Sequence, residues 1–193
     1  MTIFAKIINF VLHPVILIAP SVFFIIVASG GDIKTALLWS GIALSFVLLI
    51  SFYILIGIRI GFFTNFDVSK RKQRIYLFPV ILFAGTTFLF SLIIFNGPKS
   101  LFLALIYFLI SVAILALVNL KIKASIHVGS ITAAIVSVVY FFGDKYLVLI
   151  FLIPIMAWAR INQKKHTLKE TIVGFVLGFL LALFGIFSVQ YLI

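Results

Sequence analysis

The sequence predicts an all-α integral membrane protein, a polytopic bundle of about six to seven spanning helices. Of its 193 residues, 65% are hydrophobic, and the mean hydropathy is +1.38. A soluble domain of this size cannot bury so much apolar surface. Apolar stretches of about 20 residues, each long enough to cross a hydrocarbon core of roughly 30 Å, recur along the whole chain. A single membrane domain is therefore expected.

The chain begins with a segment that has a different pattern. Between residues 2 and 13, Lys6, Asn9 and His13 lie at helical spacing among apolar residues, which predicts an amphipathic interfacial helix over residues 1–13. His13 is interpreted as a wetted interfacial residue. The membrane-embedded domain then covers residues 14–193, and spanning segments are predicted at 14–29, 34–59, 76–95, 100–119, 126–142, 145–159 and 168–192.

The basic residues are distributed unevenly between the two membrane faces. Counting crossings puts the N-terminal segment and the loops near residues 60–75, 120–127 and 160–170 on one face, called face A. Of the fifteen Lys and Arg residues, all lie on face A except Lys34, Lys99 and Lys145. The positive-inside rule therefore predicts that face A is cytoplasmic, in a cell membrane. The net charge of +11 indicates anionic lipid head groups as partners, and no nucleic acid.

Scarce carboxylates and absent cysteines exclude several kinds of chemistry. The chain has no Cys, so thiolate nucleophiles and Cys-ligated metals are excluded. Its four acidic residues are Asp32, Asp67, Asp144 and Glu170. Enzymes that hold a metal–pyrophosphate between Asp-rich motifs need several carboxylates on one face, because hard cations take oxygen ligands. We therefore expect no metal and no cofactor.

Three polar segments share face A, at residues 67–74, 121–127 and 160–170. They contain two His and several Arg and Lys residues, which are the groups that phosphoryl transfer through a phosphohistidine needs. His166 and Glu170 are four residues apart at the expected start of the last helix, so the carboxylate can orient the ring. Arg160 precedes His166 by six residues, and its guanidinium suits a phosphate dianion.

These segments resemble the three motifs of the type 2 phosphatidic acid phosphatase superfamily. The third motif of that family is Ser-Arg, five residues, His, three residues and Asp. The matching stretch here is Ala159-Arg160, five residues, His166, three residues and Glu170. The spacing is the same, although Ala and Glu replace Ser and Asp.

The other two motifs match less closely. The second, Pro-Ser-Gly-His, aligns with residues 124–127, which keep Ser125 and His127. The first, Lys, six residues and Arg-Pro, keeps only Arg74; Asp67 lies where Lys is expected and Ile75 replaces Pro. Lys70 or Arg71 is then expected to supply the missing cation.

The resemblance implies a role for each matching residue and an activity. It makes His166 the nucleophile, His127 the general acid and Glu170 the residue that orients His166, while phosphate binds to Arg160, Arg74 and Ser125. It implies metal-independent hydrolysis of a lipid phosphate such as phosphatidic acid, phosphatidylglycerol phosphate or polyprenyl pyrophosphate. It also implies a site facing away from the cytoplasm, opposite to the charge bias.

Two alternatives share the same residues. A lipid phosphotransferase uses the same site with an alcohol as acceptor. A non-catalytic lipid-binding or transport protein keeps the fold without the reaction. Separately, Gly174, Gly178 and Ala182 form a stripe of small residues in the last helix, which predicts close packing of a neighbouring helix within the chain.

Overall fold

The computed structural model describes the backbone of residues 2–192 and the side chains of residues 2–187. Over that range the chain is helical and contains no strand. In chain order it forms α1 (Ile3–Val11), α2 (Pro14–Ala28), α3 (Ile33–Arg59), α4 (Arg71–Ile94), α5 (Lys99–Asn119), α6 (Ile126–Phe142), a 3-10 helix (Asp144–Phe151), α7 (Leu152–Asn162) and α8 (Leu168–Leu192). The predicted all-α bundle is confirmed.

Several of these helices are suited to a bilayer. Within the described residues, five helical stretches are long and apolar enough to cross it, namely Ile3–Ala28, Ile33–Arg59, Arg71–Ile94, Lys99–Asn119 and Leu168–Phe187, and α6 is a shorter apolar helix. The segment expected to span from 145 to 159 consists of the 3-10 helix followed by α7, which has 11 residues. Large apolar side chains such as Phe83 are exposed, as lipid contact requires. The chain is therefore a multi-pass membrane protein.

The chain divides into two compact units. The terminal unit combines Met1–Leu17 with Ile122–Ile193, and the central unit is Ile18–Lys121. In the terminal unit, α6 and α7 contribute a buried cluster of Val128, Ile131, Ile135 and Met156, against which Ile8, Leu12 and Leu17 pack. The first helix thus belongs to the same core as the helices near the C-terminus.

Small residues bring α6 and α8 of the terminal unit together. A Cβ atom added at Gly178 would lie 2.2 Å from the backbone oxygen of Gly129, and one added at Gly174 would lie 2.4 Å from that of Ser125. Neither distance leaves room for a side chain, so the backbones touch as in other small-residue helix contacts. The intramolecular packing predicted from the stripe of small residues in α8 is confirmed.

In the central unit, α3 packs on α4 and α4 on α5, around a buried cluster that includes Trp39, Phe88 and Leu92. Asp32 caps the N-terminus of α3, where it accepts hydrogen bonds from the Thr35 hydroxyl at 2.6 Å and the Thr35 N–H at 3.0 Å. These bonds stabilise the carboxylate and lower the pKa of Asp32. A capped start fixes where the first long helix of this unit begins.

Candidate active site

The candidate site lies where three helix ends of the terminal unit meet. The turn between α7 and α8 joins the C-terminus of α7 to the N-terminus of α8. The N-terminus of α6 reaches the same place, because the Ser125 N–H donates a 3.0 Å hydrogen bond to the backbone oxygen of Glu170. The second and third motif segments are therefore in direct contact.

The spacing between Arg160 and His166 has a local structural cause. Lys164 has a φ of 54°, in the left-handed region, and its N–H donates to the Ile161 oxygen at 2.8 Å. The N–H groups of Lys165 and His166 donate to the Arg160 oxygen at 3.1 and 3.4 Å. The bonds made by Lys164 and Lys165 form a Schellman motif, which ends α7 and reverses the chain. A separation of six residues therefore lets the turn return the backbone of His166 to the Arg160 oxygen.

His166 is held by Glu170 as predicted. Its Nδ1 lies 2.8 Å from Glu170 Oε2, and the side chain of His166 is 0% exposed. A carboxylate beside Nδ1 makes that nitrogen the N–H donor, so Nε2 of the neutral ring carries the lone pair. The carboxylate thus orients the imidazole and sets its tautomer, with the lone pair on Nε2.

The same Glu170 oxygen also caps the last helix. It accepts a 3.2 Å hydrogen bond from the Thr167 N–H, while the Glu170 N–H donates to Thr167 Oγ1 at 3.3 Å. These reciprocal bonds form a capping box at the start of α8. Glu170 therefore has a structural function and an orienting function together.

Lys123 is a site residue that the motif comparison did not single out. Its Nζ donates to the Lys165 oxygen at 2.5 Å and lies 3.8 Å from Glu170 Oε2. It precedes Ser125 by two residues in a basic segment. That position is the feature of the sequence that could have identified Lys123 as a candidate site residue. Ser125 itself is buried and caps α6, its Oγ accepting from the Val128 N–H at 3.5 Å.

Two further site residues come from the N-terminal segment. The buried guanidinium of Arg160 donates through Nη1 to Oδ1 of Asn9. The ring of His127, also buried, lies 4.6 Å from the ring of His13 at an interplanar angle of 89°. In the sequence, Asn9 and His13 stand out as polar residues at helical spacing in an apolar segment. That pattern was interpreted as an amphipathic helix at the membrane interface.

The predicted first motif lies in the central unit. Arg74 is buried in α4, and its Nε donates to the Val68 oxygen at 3.1 Å. Arg71 donates through Nη1 to the Lys121 oxygen at 2.5 Å, and Lys70 is the exposed N-cap of α4. These three cations thus gather around the start of one helix.

Within the terminal unit the arrangement combines an oriented imidazole, a second buried imidazole, a buried guanidinium and an ammonium group. These are the groups that a phosphoryl-transfer site uses for attack, proton donation and charge stabilisation. No protein-family model, no curated protein and no solved structure matches this chain. Its function is therefore inferred from residue spacing and side-chain geometry.

Proposed function

We propose that this protein is a membrane lipid phosphatase that hydrolyses a lipid phosphate monoester or pyrophosphate through a phosphohistidine, as a divergent member of the type 2 phosphatidic acid phosphatase superfamily. The observation that supports this most is the 2.8 Å hydrogen bond between His166 and Glu170. It directs the lone pair of His166 to Nε2, and the turn after α7 brings the backbone N–H of His166 within 3.4 Å of the Arg160 oxygen.

In the first step, Nε2 of His166 attacks phosphorus, and the bond between phosphorus and the leaving oxygen breaks. His127 transfers a proton to that oxygen, so the alcohol or phosphate leaves in a protonated form. Glu170 stabilises the positive charge that develops on the His166 ring. Arg160 and Ser125 bind the non-bridging oxygens. A phosphate-binding role for Arg74 and for either Lys70 or Arg71 remains an expectation from the family resemblance.

In the second step, water attacks the phosphohistidine and the P–N bond breaks. His127, now neutral, accepts a proton from the attacking water, and inorganic phosphate leaves. His166 returns to its starting tautomer with its Nδ1–H still bonded to Glu170. The proposed reaction uses no metal and no cofactor, since the side chains supply the nucleophile, the acid and the charge stabilisation.

The substrate enters from the bilayer in this proposal. Apolar side chains exposed on the helices, such as Phe83 and Leu49, indicate that lipid surrounds the chain, so an acyl or prenyl tail remains in the hydrocarbon. The net charge of +11 favours an anionic head group at the surface.

The proposal is tested by phosphate release from purified protein in detergent with a chelator present. The substrates are phosphatidic acid, phosphatidylglycerol phosphate and polyprenyl pyrophosphate. We expect release from at least one of them and a loss of at least about a thousandfold for His166→Ala. Lys169→Ala is the matched control, because Lys169 is exposed in the first turn of α8.

Two results would overturn it. The first is no release by the wild type from any of the three lipids, and the second is undiminished release by His166→Ala. If an added alcohol receives the phosphoryl group in place of water, the site is that of a phosphotransferase.

A non-catalytic lipid-binding or transport protein is the second candidate, and the contacts of the motif residues favour it. Arg160 is bonded to Asn9, Glu170 and Ser125 cap helices, and Arg74 is bonded to Val68. Each contact stabilises the fold without any reaction. This candidate predicts that the wild type, purified in detergent, binds phosphatidic acid in preference to phosphatidylcholine and releases none of it as inorganic phosphate.

A further inference from the structure

The polar residues of the N-terminal segment contact the site rather than only the membrane interface. Asn9 accepts a hydrogen bond from the Arg160 guanidinium, and the ring of His13 lies edge-on to that of His127 at 4.6 Å. The Gln163 side chain, in the turn after α7, donates to the backbone oxygen of Ala5 at 2.6 Å. Three separate contacts therefore fasten the N-terminal segment to residues of the third and second motif segments.

The orientation of His13 is fixed by its own backbone. The Val15 N–H donates to Nδ1 of His13 at 3.2 Å, so the neutral ring carries its proton on Nε2. One ring nitrogen of His13 and one of His127 lie within 4.8 Å of each other. A ring held in this way at an edge-to-face contact limits the rotation of its neighbour. The His127 imidazole therefore packs against a ring whose own orientation is fixed.

The Asn9 contact acts on the guanidinium of Arg160. An Arg side chain has several rotatable bonds, and ordering it on binding costs conformational entropy. Because Arg160 is hydrogen-bonded to Asn9, its side chain is already ordered in the folded protein before a phosphate binds. A guanidinium held in advance binds an oxyanion more tightly than one that must be ordered on binding.

We propose that Asn9 and His13 are positioning residues of the site. Asn9 holds the Arg160 guanidinium for the phosphate, and His13 holds the His127 imidazole at the angle from which it protonates the leaving oxygen. This inference rests on the proposed function, because it assigns Asn9 and His13 to the same reaction. It makes the N-terminal helix a functional part of the site.

The test for His13 compares two leaving groups. One substrate is the lipid that the wild type cleaves fastest among phosphatidic acid, phosphatidylglycerol phosphate and polyprenyl pyrophosphate, and the other is p-nitrophenyl phosphate, whose leaving oxygen needs little protonation. For His13→Ala we expect kcat to fall roughly tenfold or more with the lipid and less than about threefold with the nitrophenyl ester. His13→Phe restores a ring at the contact and should recover part of the loss.

Combining His13→Ala with His127→Ala distinguishes a positioning effect on His127 from a general loss of structure. His127→Ala should show the same dependence on the leaving group, and adding His13→Ala to it should change kcat by less than about twofold, because the group that His13 positions is already absent. Lys6→Gln is the matched control, since Lys6 is exposed in the same N-terminal segment as His13 and its substitution should leave both rates unchanged.

For Asn9→Ala we expect the KM of both substrates to rise roughly tenfold with a smaller change in kcat, because the phosphate clamp is affected and the acid is not. Equal losses of kcat on both substrates for His13→Ala, or additive losses in the double variant, would overturn the inference while leaving the phosphatase intact. A wild type that cleaves neither substrate would overturn the proposed function and this inference together.

Discussion

Glu170 meets two requirements with one carboxylate oxygen. That oxygen accepts from the ring of His166 at 2.8 Å and from the Thr167 N–H at 3.2 Å. The second bond belongs to the capping box of α8, so the helix start itself holds the carboxylate in place. Because the cap fixes the carboxylate, the carboxylate in turn orients the ring of His166.

Substituting Glu170 separates these two functions. Glu170→Gln keeps an oxygen that can accept a hydrogen bond but removes the negative charge that stabilises a positive His166 ring. We expect phosphate release to fall by at least about tenfold, with the thermal unfolding midpoint nearly unchanged. Glu170→Ala also removes half of the capping box and should cost about 1 kcal/mol of stability. Equal activity of Glu170→Gln and wild type would show that the carboxylate serves only the cap.

The contact between α6 and α8 is the element on which the site depends. Ser125 and His127 lie at the start of α6, while Glu170 lies at the start of α8. The two helices meet through glycines whose Cα atoms approach the facing backbone. A small increase in their separation would move the second motif away from the third.

The element-scale prediction concerns Gly178. A Cβ atom there would lie 2.2 Å from the Gly129 oxygen, whereas one at Gly41 in α3 would have nothing within 4 Å. Gly178→Ala should therefore destabilise the protein by about 1–3 kcal/mol and reduce phosphate release. Gly41→Ala, the matched control, should stabilise it by up to about 1 kcal/mol through helix propensity.

Thermal unfolding in detergent, followed by circular dichroism, measures both changes. A Gly178→Ala variant as stable as Gly41→Ala would contradict the close approach of α6 and α8.

At the scale of the whole molecule, the distribution of Lys and Arg predicts that face A is cytoplasmic. The resemblance to the phosphatase family predicts the opposite sidedness. Since the chain has no cysteine, single-cysteine variants report on each face separately. Lys169 on face A and Lys99 on the other face are both exposed, so replacing either with Cys should leave the fold intact.

From the charge bias we expect a membrane-impermeant maleimide to label Lys99→Cys in intact cells, and to label Lys169→Cys only after the cells are permeabilised. The cysteine-free wild type is the control for background labelling. The reverse labelling pattern would assign the site to the extracytoplasmic face and show that site cations, rather than topology, cause the charge bias.

Local sequence was enough to predict the helical membrane fold and the contact between His166 and Glu170. Apolar stretches of bilayer length have few stable structures other than helices, because backbone groups in lipid must bond within the segment. The spacing of Arg160, His166 and Glu170 was equally readable, since a Schellman turn and an i, i+4 pair depend on neighbouring residues alone.

Only the tertiary structure decided which distant residues meet. Asn9 lies beside Arg160, His13 beside His127, and the Ser125 N–H bonds to the Glu170 oxygen. Each pair is far apart in the chain and is brought together by helix packing, which depends on the whole core rather than on any local pattern. An apolar segment with a few polar residues predicts an interfacial helix from its sequence alone. The pattern is the same when the polar face of that helix packs on another helix of the chain. The packing of α1 on α7 brings that segment into contact with Arg160 of the candidate site.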